Sequence, residues 1–179
     1  IGALAGGSEE AIDPACGLGG TLAAVAPQTK RLYGIDTDPY AVALAKMRLL
    51  VAGAVDPTVE VGNALIDPPD RKFDLVVTQP PLNTHLSTTD ISPALVAQVG
   101  PEWRTVDGNA TWLALTSSLI SEGGRGIVVV CPASSSYRTQ IQTVRRHLAK
   151  EGRLEAIITL PPGSALGSDV APFLWVLSG

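Results

Sequence analysis

Long apolar runs are missing from this chain, and none approaches the roughly 18 residues that would suggest a membrane span. Cysteine is scarce, with only Cys16 and Cys131. Two thiols make no disulfide framework, and no cluster stands at metal-ligand spacing, so neither a disulfide scaffold nor a metal site is expected. A reduced, intracellular compartment is the default for such a chain. Basic charge is also in short supply. Thirteen Lys and Arg face 17 Asp and Glu, a net charge of −4, whereas a self-sufficient nucleic-acid binder carries a basic patch or stripe. The densest basic group, Arg138, Arg145, Arg146, Lys150 and Arg153, reads as a solvated helix face. An initiator Met and a basic leader are absent as well. The opening Ile1-Gly2-Ala3-Leu4-Ala5-Gly6-Gly7 is no signal peptide and reads as the start of a piece of a longer protein.

What is present is enough for one core. A chain of 179 residues that is 45% hydrophobic and 17% charged suits a single folded domain and excludes intrinsic disorder. Short apolar runs alternate with helical periods. Ala11-Ile12-Asp13 reads as the end of a first strand, and 18–26 as a helix. Strands are expected at 32–36, 59–61, 73–78, 126–130, 154–160 and 172–177. Asp38, Pro39 and Gly53 bracket a helix as cap, first-turn residue and stop. Asn109 is a cap candidate for a helix running to about Glu122 and stopped by Gly123-Gly124, and Ser134 or Ser135 for one reaching Lys150. After the fourth strand, 82–108 reads as a long irregular loop, and that length favours a functional role. Strands alternating with helices predict an α/β fold, a mostly parallel sheet covered on both faces. The last two strands lack a helix between them and can pair antiparallel.

Two motifs carry a ligand-binding pattern. The first turn, Asp13-Pro14-Ala15-Cys16-Gly17-Leu18-Gly19-Gly20, offers glycines that let backbone approach a bulky cofactor. Asp36 ends the second strand about 20 residues later, where an acid can accept from ribose hydroxyls. These two alone would suit a dinucleotide equally well.

The fourth strand separates the possibilities. Phe73-Asp74-Leu75-Val76-Val77-Thr78-Gln79-Pro80-Pro81-Leu82 sets an amide and two prolines at a strand end. This resembles the Asn-Pro-Pro-aromatic motif of amino-group methyltransferases. In order along the chain, Asp13 to Gly17, Gly34-Ile35-Asp36, Gly62-Asn63-Ala64-Leu65, Gly124-Arg125-Gly126, Val130-Cys131-Pro132 and Leu154 to Pro161 are similar to N6-adenine DNA methyltransferases, above all the modification subunit of type I restriction systems. The resemblance covers residues 1–179 as one catalytic-type domain. It implies a Rossmann-like S-adenosylmethionine-dependent methyltransferase fold, a seven-stranded mixed sheet with helices on both faces. The strand order would be 3-2-1-4-5-7-6, with the seventh strand antiparallel. It implies S-adenosyl-L-methionine as cofactor, with Asp13, Pro14, Ala15, Cys16, Gly17 and Gly19 around its methionine end, Asp36 at the ribose and Asn63 at the adenine ring. Gln79, Pro80, Pro81 and Leu82 would face a flipped-out base. DNA, reached through regions outside these residues, and a specificity subunit are the implied partners, and the cytoplasm the implied location. Methyl transfer would be a direct in-line displacement without metal or covalent enzyme intermediate.

Three residues depart from that pattern. Gln79 replaces Asn and moves the amide by about 1.5 Å, Leu82 replaces an aromatic ring, and Asn63 replaces an acid. The departures leave open a catalytically degenerate module with a scaffolding or regulatory role. Methylation of another planar amine, a protein glutamine or an RNA base, is a third reading. Trp103, in the long loop, is the other ring able to stack on a base or to anchor the loop. Trp112 reads as core, and His85 and His147 as structural or solvated.

Overall fold

The structure is a computed structural model of the chain and describes residues 1–81, 84–99, 104–130, 139–164 and 171–179. In chain order its elements are α1 (Gly2–Ala5), β1 (Ser8–Asp13), α2 (Gly20–Val25), β2 (Thr29–Asp36), α3 (Pro39–Val51), β3 (Thr58–Val61) and β4 (Phe73–Thr78). There follow β5 (His85–Ser87), α4 (Pro93–Val99), β6 (Thr105–Asp107), α5 (Gly108–Leu119), β7 (Ile120–Val130), α6 (Thr139–Lys150), β8 (Leu154–Thr159) and β9 (Phe173–Ser178). Seven strands form one sheet in the order β3-β2-β1-β4-β7-β9-β8, while β5 and β6 form a separate antiparallel pair. Pairs from β3 to β7 are parallel; β9 runs antiparallel to both β7 and β8. This is the order and the antiparallel seventh strand implied by the resemblance. β4 separates β1 from β7; Cys131 itself, like Ser134 and Ser135, lies outside the described residues.

Strand side chains alternate between two cores because successive residues point to opposite faces. Leu75, Val77, Ile127 and Val129 pack with Leu22, Val25, Ala45 and Leu49 of α2 and α3. Val76, Val128, Trp175 and Leu177 pack with Leu95, Leu113, Leu115, Ile141 and Leu148 of α4, α5 and α6. Central strands buried on both faces read as continuous apolar runs, as Leu75-Val76-Val77 and Ile127 to Val130 do.

Three local expectations are corrected. The stretch 82–108 is not an irregular loop: β5, a 3-10 turn over Thr88–Asp90, α4 and β6 occupy its described residues. Leu95 and Val99 of α4 are buried against the core, a helical spacing that the surrounding polar residues obscure. α5 is capped by Asp107, which accepts the Ala110 N–H at 3.1 Å, and it ends at Leu119; Asn109 is buried in its first turn. Gly123 and Gly124 therefore stop no helix. They lie within β7, where its register with β4 shifts between Phe73 and Leu75, and a Cβ on Gly124 would sit 2.9 Å from the Asp74 carbonyl oxygen. Glycine in a strand marks such irregularities and close backbone approaches. The helix after the glycine turn starts at Gly20, later than residue 18, because Gly17 and Gly19 are in the left-handed region.

α3 forms as its sequence predicts: the Asp38 side chain accepts the Tyr40 N–H, and Pro39 opens the first turn. Asp38→Ala should lower stability by about 1 kcal/mol through loss of the cap. Leu113→Ala, at a fully buried site, should cost about 2–5 kcal/mol. Urea unfolding of the two variants beside the parent measures both.

Candidate functional site

Parallel register brings the ends of four strands to one edge. Asp13 of β1 lies opposite Gly34 of β2, Ile12 opposite Val76 of β4, and Asp36 opposite Val61 of β3. The segments that follow therefore meet at this edge: 14–19 after β1, 37–38 after β2, 62–65 after β3 and 79–81 after β4. Here the connections from β1 and β3 leave in opposite directions, the switch point where doubly wound sheets bind ligands.

Glycines shape the first turn. Gly17 and Gly19 have φ of 49° and 76°, values that favour glycine. A Cβ on Gly19 would stand 3.2 Å from the Ala45 Cα, so this glycine lets the turn press on α3. A Cβ on Gly17 would meet no heavy atom within 4 Å. The backbone there faces open space at the strand ends. Pro14 is buried and Ala15 half-buried beneath the turn. Cys16 is buried against Gly34, whose added Cβ would lie 3.0 Å from its Sγ. Burial, then the charges of Asp13 and Asp36, push this thiol up to about 12, so it acts as a packed side chain and not as a nucleophile.

The two acids have different surroundings. Asp36, half-buried, accepts the Gly17 N–H at 2.8 Å through one oxygen and the Asp38 N–H at 3.0 Å through the other. It thereby pins the glycine turn to the end of β2. A carboxylate has about four lone-pair sites, so acceptor capacity remains for ligand hydroxyls. Asp13 is only 1% exposed. It accepts the Ala15 N–H at 3.0 Å and the Thr21 hydroxyl. Burial pushes its carboxyl up to about 6, against the pull of those hydrogen bonds and with a further push from Asp36. The Thr78 hydroxyl is near enough to oppose the rise, yet it makes no hydrogen bond in the structure. Thr21 is missing from the residues expected from sequence. Its signal is a hydroxyl in the first turn after a glycine loop, eight positions beyond the acid.

Beyond β2, Asn63 follows β3, is half-buried and turns its side-chain oxygen onto the Leu65 N–H at 3.0 Å. Gln79 and Pro81 are exposed and Pro80 is buried; Leu82 and Trp103 lie outside the described residues. The chain that follows is fixed firmly. The Thr84 carbonyl accepts the Gly108 N–H at 2.9 Å, and a Cβ on Gly108 would stand 2.8 Å from that carbonyl oxygen. Gln140 of α6 clamps β6, accepting the Asp107 N–H at 2.6 Å and donating to the Thr105 carbonyl at 3.2 Å. Neither Gly108 nor Gln140 carries a sequence signal beyond a glycine at a helix start and a lone amide.

The remaining candidates stay away from this edge. Trp112 is buried in the core. His85 is exposed on β5, and His147 is exposed on α6 and 3.4 Å from Glu151. Arg153 is no solvated cluster member: it donates to the Ser178 and Ser117 carbonyls and ties the sheet to α5. Among the described residues, no group of three His, Cys, Asp or Glu could hold a metal ion, and no helix is long and apolar enough to cross a membrane. A cleft of about 510 Å³ opens at the opposite edge of the sheet, between Ser8, Lys30, Asp74 and Gly124.

A sheet of this order, with a glycine turn after its first strand and an acid closing its second, is the S-adenosylmethionine-dependent methyltransferase class of Rossmann-like fold. The chain belongs to the N-6 DNA methylase family, which it matches over residues 4–179. It is 36% identical over 183 residues to the type I restriction enzyme MjaIX methylase subunit of Methanocaldococcus jannaschii, covering 92% of this chain and 32% of that protein. Its fold is that of the type I restriction-modification methyltransferase subunit of Streptococcus thermophilus (TM-score 0.84, 16% identity, covering 96% of this chain and 40% of that one). The EcoKI M protein of a type I restriction enzyme is similar too (TM-score 0.77, 20% identity, covering 96% and 40%). The chain thus spans about a third of the length of the methylase subunit it matches.

Asp13 gives the site a pH signature. Its carboxyl titrates higher in the folded protein, about 6, than the ordinary 3.8. The folded state therefore holds the proton longer, and this group's contribution to stability falls as pH rises between those values. Asp13→Asn removes the titration. The stability of the parent relative to this variant should drop by on the order of 3 kcal/mol from pH 3.5 to pH 7, measured by chemical denaturation across that range.

Proposed function

We propose that these 179 residues form one methyltransferase domain of a type I restriction-modification system, transferring a methyl group to adenine N6 in DNA. The observation that carries this reading is the Gly17–Asp36 link at the same strand-end edge as Gln79 and Pro80. Membership of the N-6 DNA methylase family supports it. The residues present fit S-adenosylmethionine. Gly17 exposes backbone to open space, Asp36 has acceptor capacity for ribose hydroxyls, and the acidic pair Asp13 and Asp36 favours a cationic ligand.

Bound there, the cofactor would supply an electrophilic methyl group on its sulfonium. Gly17 and Gly19 let the backbone approach its methionine end, and Asp13 holds the turn from below through Ala15 and Thr21. Pro14, Ala15 and Cys16 form the wall of that turn. Asn63, with its oxygen engaged by Leu65, would have its amide nitrogen left to donate to an adenine ring acceptor. On the substrate side, the Gln79 side-chain oxygen and the Pro80 carbonyl accept the two N6 hydrogens of the target base. This counters delocalisation of the amine lone pair into the ring and directs it at the methyl group. By the family pattern, Pro81 and Leu82 would face the base. Chain beyond these residues and a specificity subunit would supply the DNA contacts that a net charge of −4 does not. Such a complex works in the cytoplasm.

Asp36→Ala should weaken S-adenosylmethionine binding about 10- to 150-fold, the equivalent of a charge-assisted hydrogen bond of about 1.5–3 kcal/mol. Calorimetric titration checks this, and equal affinities would remove Asp36 from the site. Gln79→Asn combined with Leu82→Phe should raise methyl transfer, by more than the product of the single effects, because both changes act on one bound base. The measurement, made in the full-length protein with any specificity partner, is transfer of a labelled methyl group to DNA, with N6-methyladenine identified as the product. A slower double variant would show Gln79 and Leu82 to be a working pair. Methyl transfer by neither protein, with cofactor bound, would overturn the proposed reaction.

A further inference from the structure

Thr78 closes β4 and stands immediately before Gln79 and Pro80. It is fully buried, and its hydroxyl has no hydrogen-bond partner among the described residues. A buried hydroxyl left unpaired is disfavoured, and its presence in a folded protein calls for a reason. Packing does not supply one. Leu75, Val76 and Val77 before it are apolar and buried, and valine would continue that run with the same branched shape and no orphan group. The acceptor within reach is Asp13. β1 and β4 pair in parallel with Ile12 opposite Val76, so both strands end at one edge, and the Thr78 hydroxyl is close enough to favour the ionised form of the Asp13 carboxyl. That carboxyl is buried and takes one hydrogen bond on each oxygen, from the Ala15 N–H and from the Thr21 hydroxyl. An ionised carboxylate offers about four lone-pair sites, so the charged form lacks donors that the neutral form can do without.

We propose that Thr78 is a positioning residue: when a cationic cofactor occupies the strand-end edge, its hydroxyl turns to donate to the ionised Asp13 and ties the end of β4 to the glycine turn. The proposal rests on the methyltransferase reading above. Gln79 and Pro80 depart from that end of β4, so the bond fixes the start of the base-facing segment against the segment that holds the cofactor. The backbone of Thr78 is already held by pairing with Val128 of β7. Only a rotation between staggered side-chain positions is needed. Charge supplies the trigger. Burial keeps the Asp13 carboxyl protonated up to about pH 6, and a sulfonium at the same edge favours its charged form. Of the titratable groups around Asp13, Asp36 at the end of β2 presses it toward neutrality, and Cys16 in the turn stays a thiol. α2 carries none, and the one acid of β4, Asp74, lies at the far end of that strand.

Calorimetric titration of the full-length protein with S-adenosylmethionine, between pH 5 and pH 7 in buffers of different ionisation heat, reads both affinity and protons released. The parent should release about half a proton per cofactor at pH 6, because Asp13 is half charged before binding and fully charged after it. It should bind roughly tenfold more tightly at pH 7 than at pH 5. Thr78→Val should bind about tenfold more weakly than the parent at pH 7, lose less at pH 5 and release fewer protons, because without the donor Asp13 keeps its proton longer in the complex. Thr78→Ser keeps the hydroxyl and should follow the parent in both readings. At pH 5 the unfolding temperature of Thr78→Val should not fall below the parent's, since the hydroxyl makes no bond in the free protein. Cofactor binding by the parent without proton release, a Thr78→Val variant equal to the parent, or a Thr78→Ser variant as impaired as Thr78→Val would each overturn the proposal and leave the methyltransferase reading standing. A parent that binds no cofactor would overturn both.

Discussion

The hydrogen bond from the Gly17 N–H to the Asp36 carboxylate, at 2.8 Å, is the contact on which the site depends. It crosses from the turn after β1 to the end of β2, 19 residues on, and is charge-assisted, so it is stronger than an ordinary peptide bond pair. The Cys16 N–H donates to the Ile35 carbonyl at 2.9 Å beside it. Together these bonds hold the turn in a conformation that needs positive φ at Gly17 and Gly19. The other oxygen of Asp36 receives the Asp38 N–H, and Asp38 in turn caps α3. One carboxylate thus couples the glycine turn, the strand end and the start of the next helix.

Beneath that contact, Asp13 is buried almost completely and hydrogen-bonded on both oxygens. A buried carboxyl so close to Asp36 is disfavoured in its charged form, which is why it titrates near 6. It braces the turn from inside, while Asp36 is only half-buried at the strand ends. The β4 side of the strand-end edge is built differently. Gln79-Pro80-Pro81 follows β4, and the chain beyond is stapled by backbone contact between Thr84 and Gly108 and by the Gln140 clamp on β6. One half is shaped by glycine conformation and an acid, the other by prolines and the packing of α5 and α6.

The residues gathered at the strand ends were legible in the sequence because each sits where an element ends. Asp13, Asp36 and Gln79 follow or close apolar runs, and Gly17 and Gly19 break the pattern between a strand and a helix. The sheet was legible for the same reason: alternation of apolar runs and helical periods constrains a parallel fold strongly. The stretch 82–108 was not. Its helix α4 has seven residues and buries only Leu95 and Val99, too short a segment to show a helical period. Gly123 and Gly124 misled for a related reason, since a glycine pair after a helical period marks a helix end or a strand irregularity equally well.

Sequence by itself determined the class of fold, the strand order through family resemblance, the cap of α3 and the residues brought to the strand ends. Those depend on local period, on turn chemistry and on residues whose backbone needs are specific. Only the tertiary structure decided that Asp13 is buried while Asp36 is partly open, that Thr21 holds Asp13, that Gly108 must be glycine to cross Thr84, and that the Thr78 hydroxyl is buried without a partner among the described residues. Each of these is a relation between segments far apart in the chain or a matter of solvent exposure. Neither is written in a local pattern, because packing alone determines which neighbours a side chain meets and how much water reaches it.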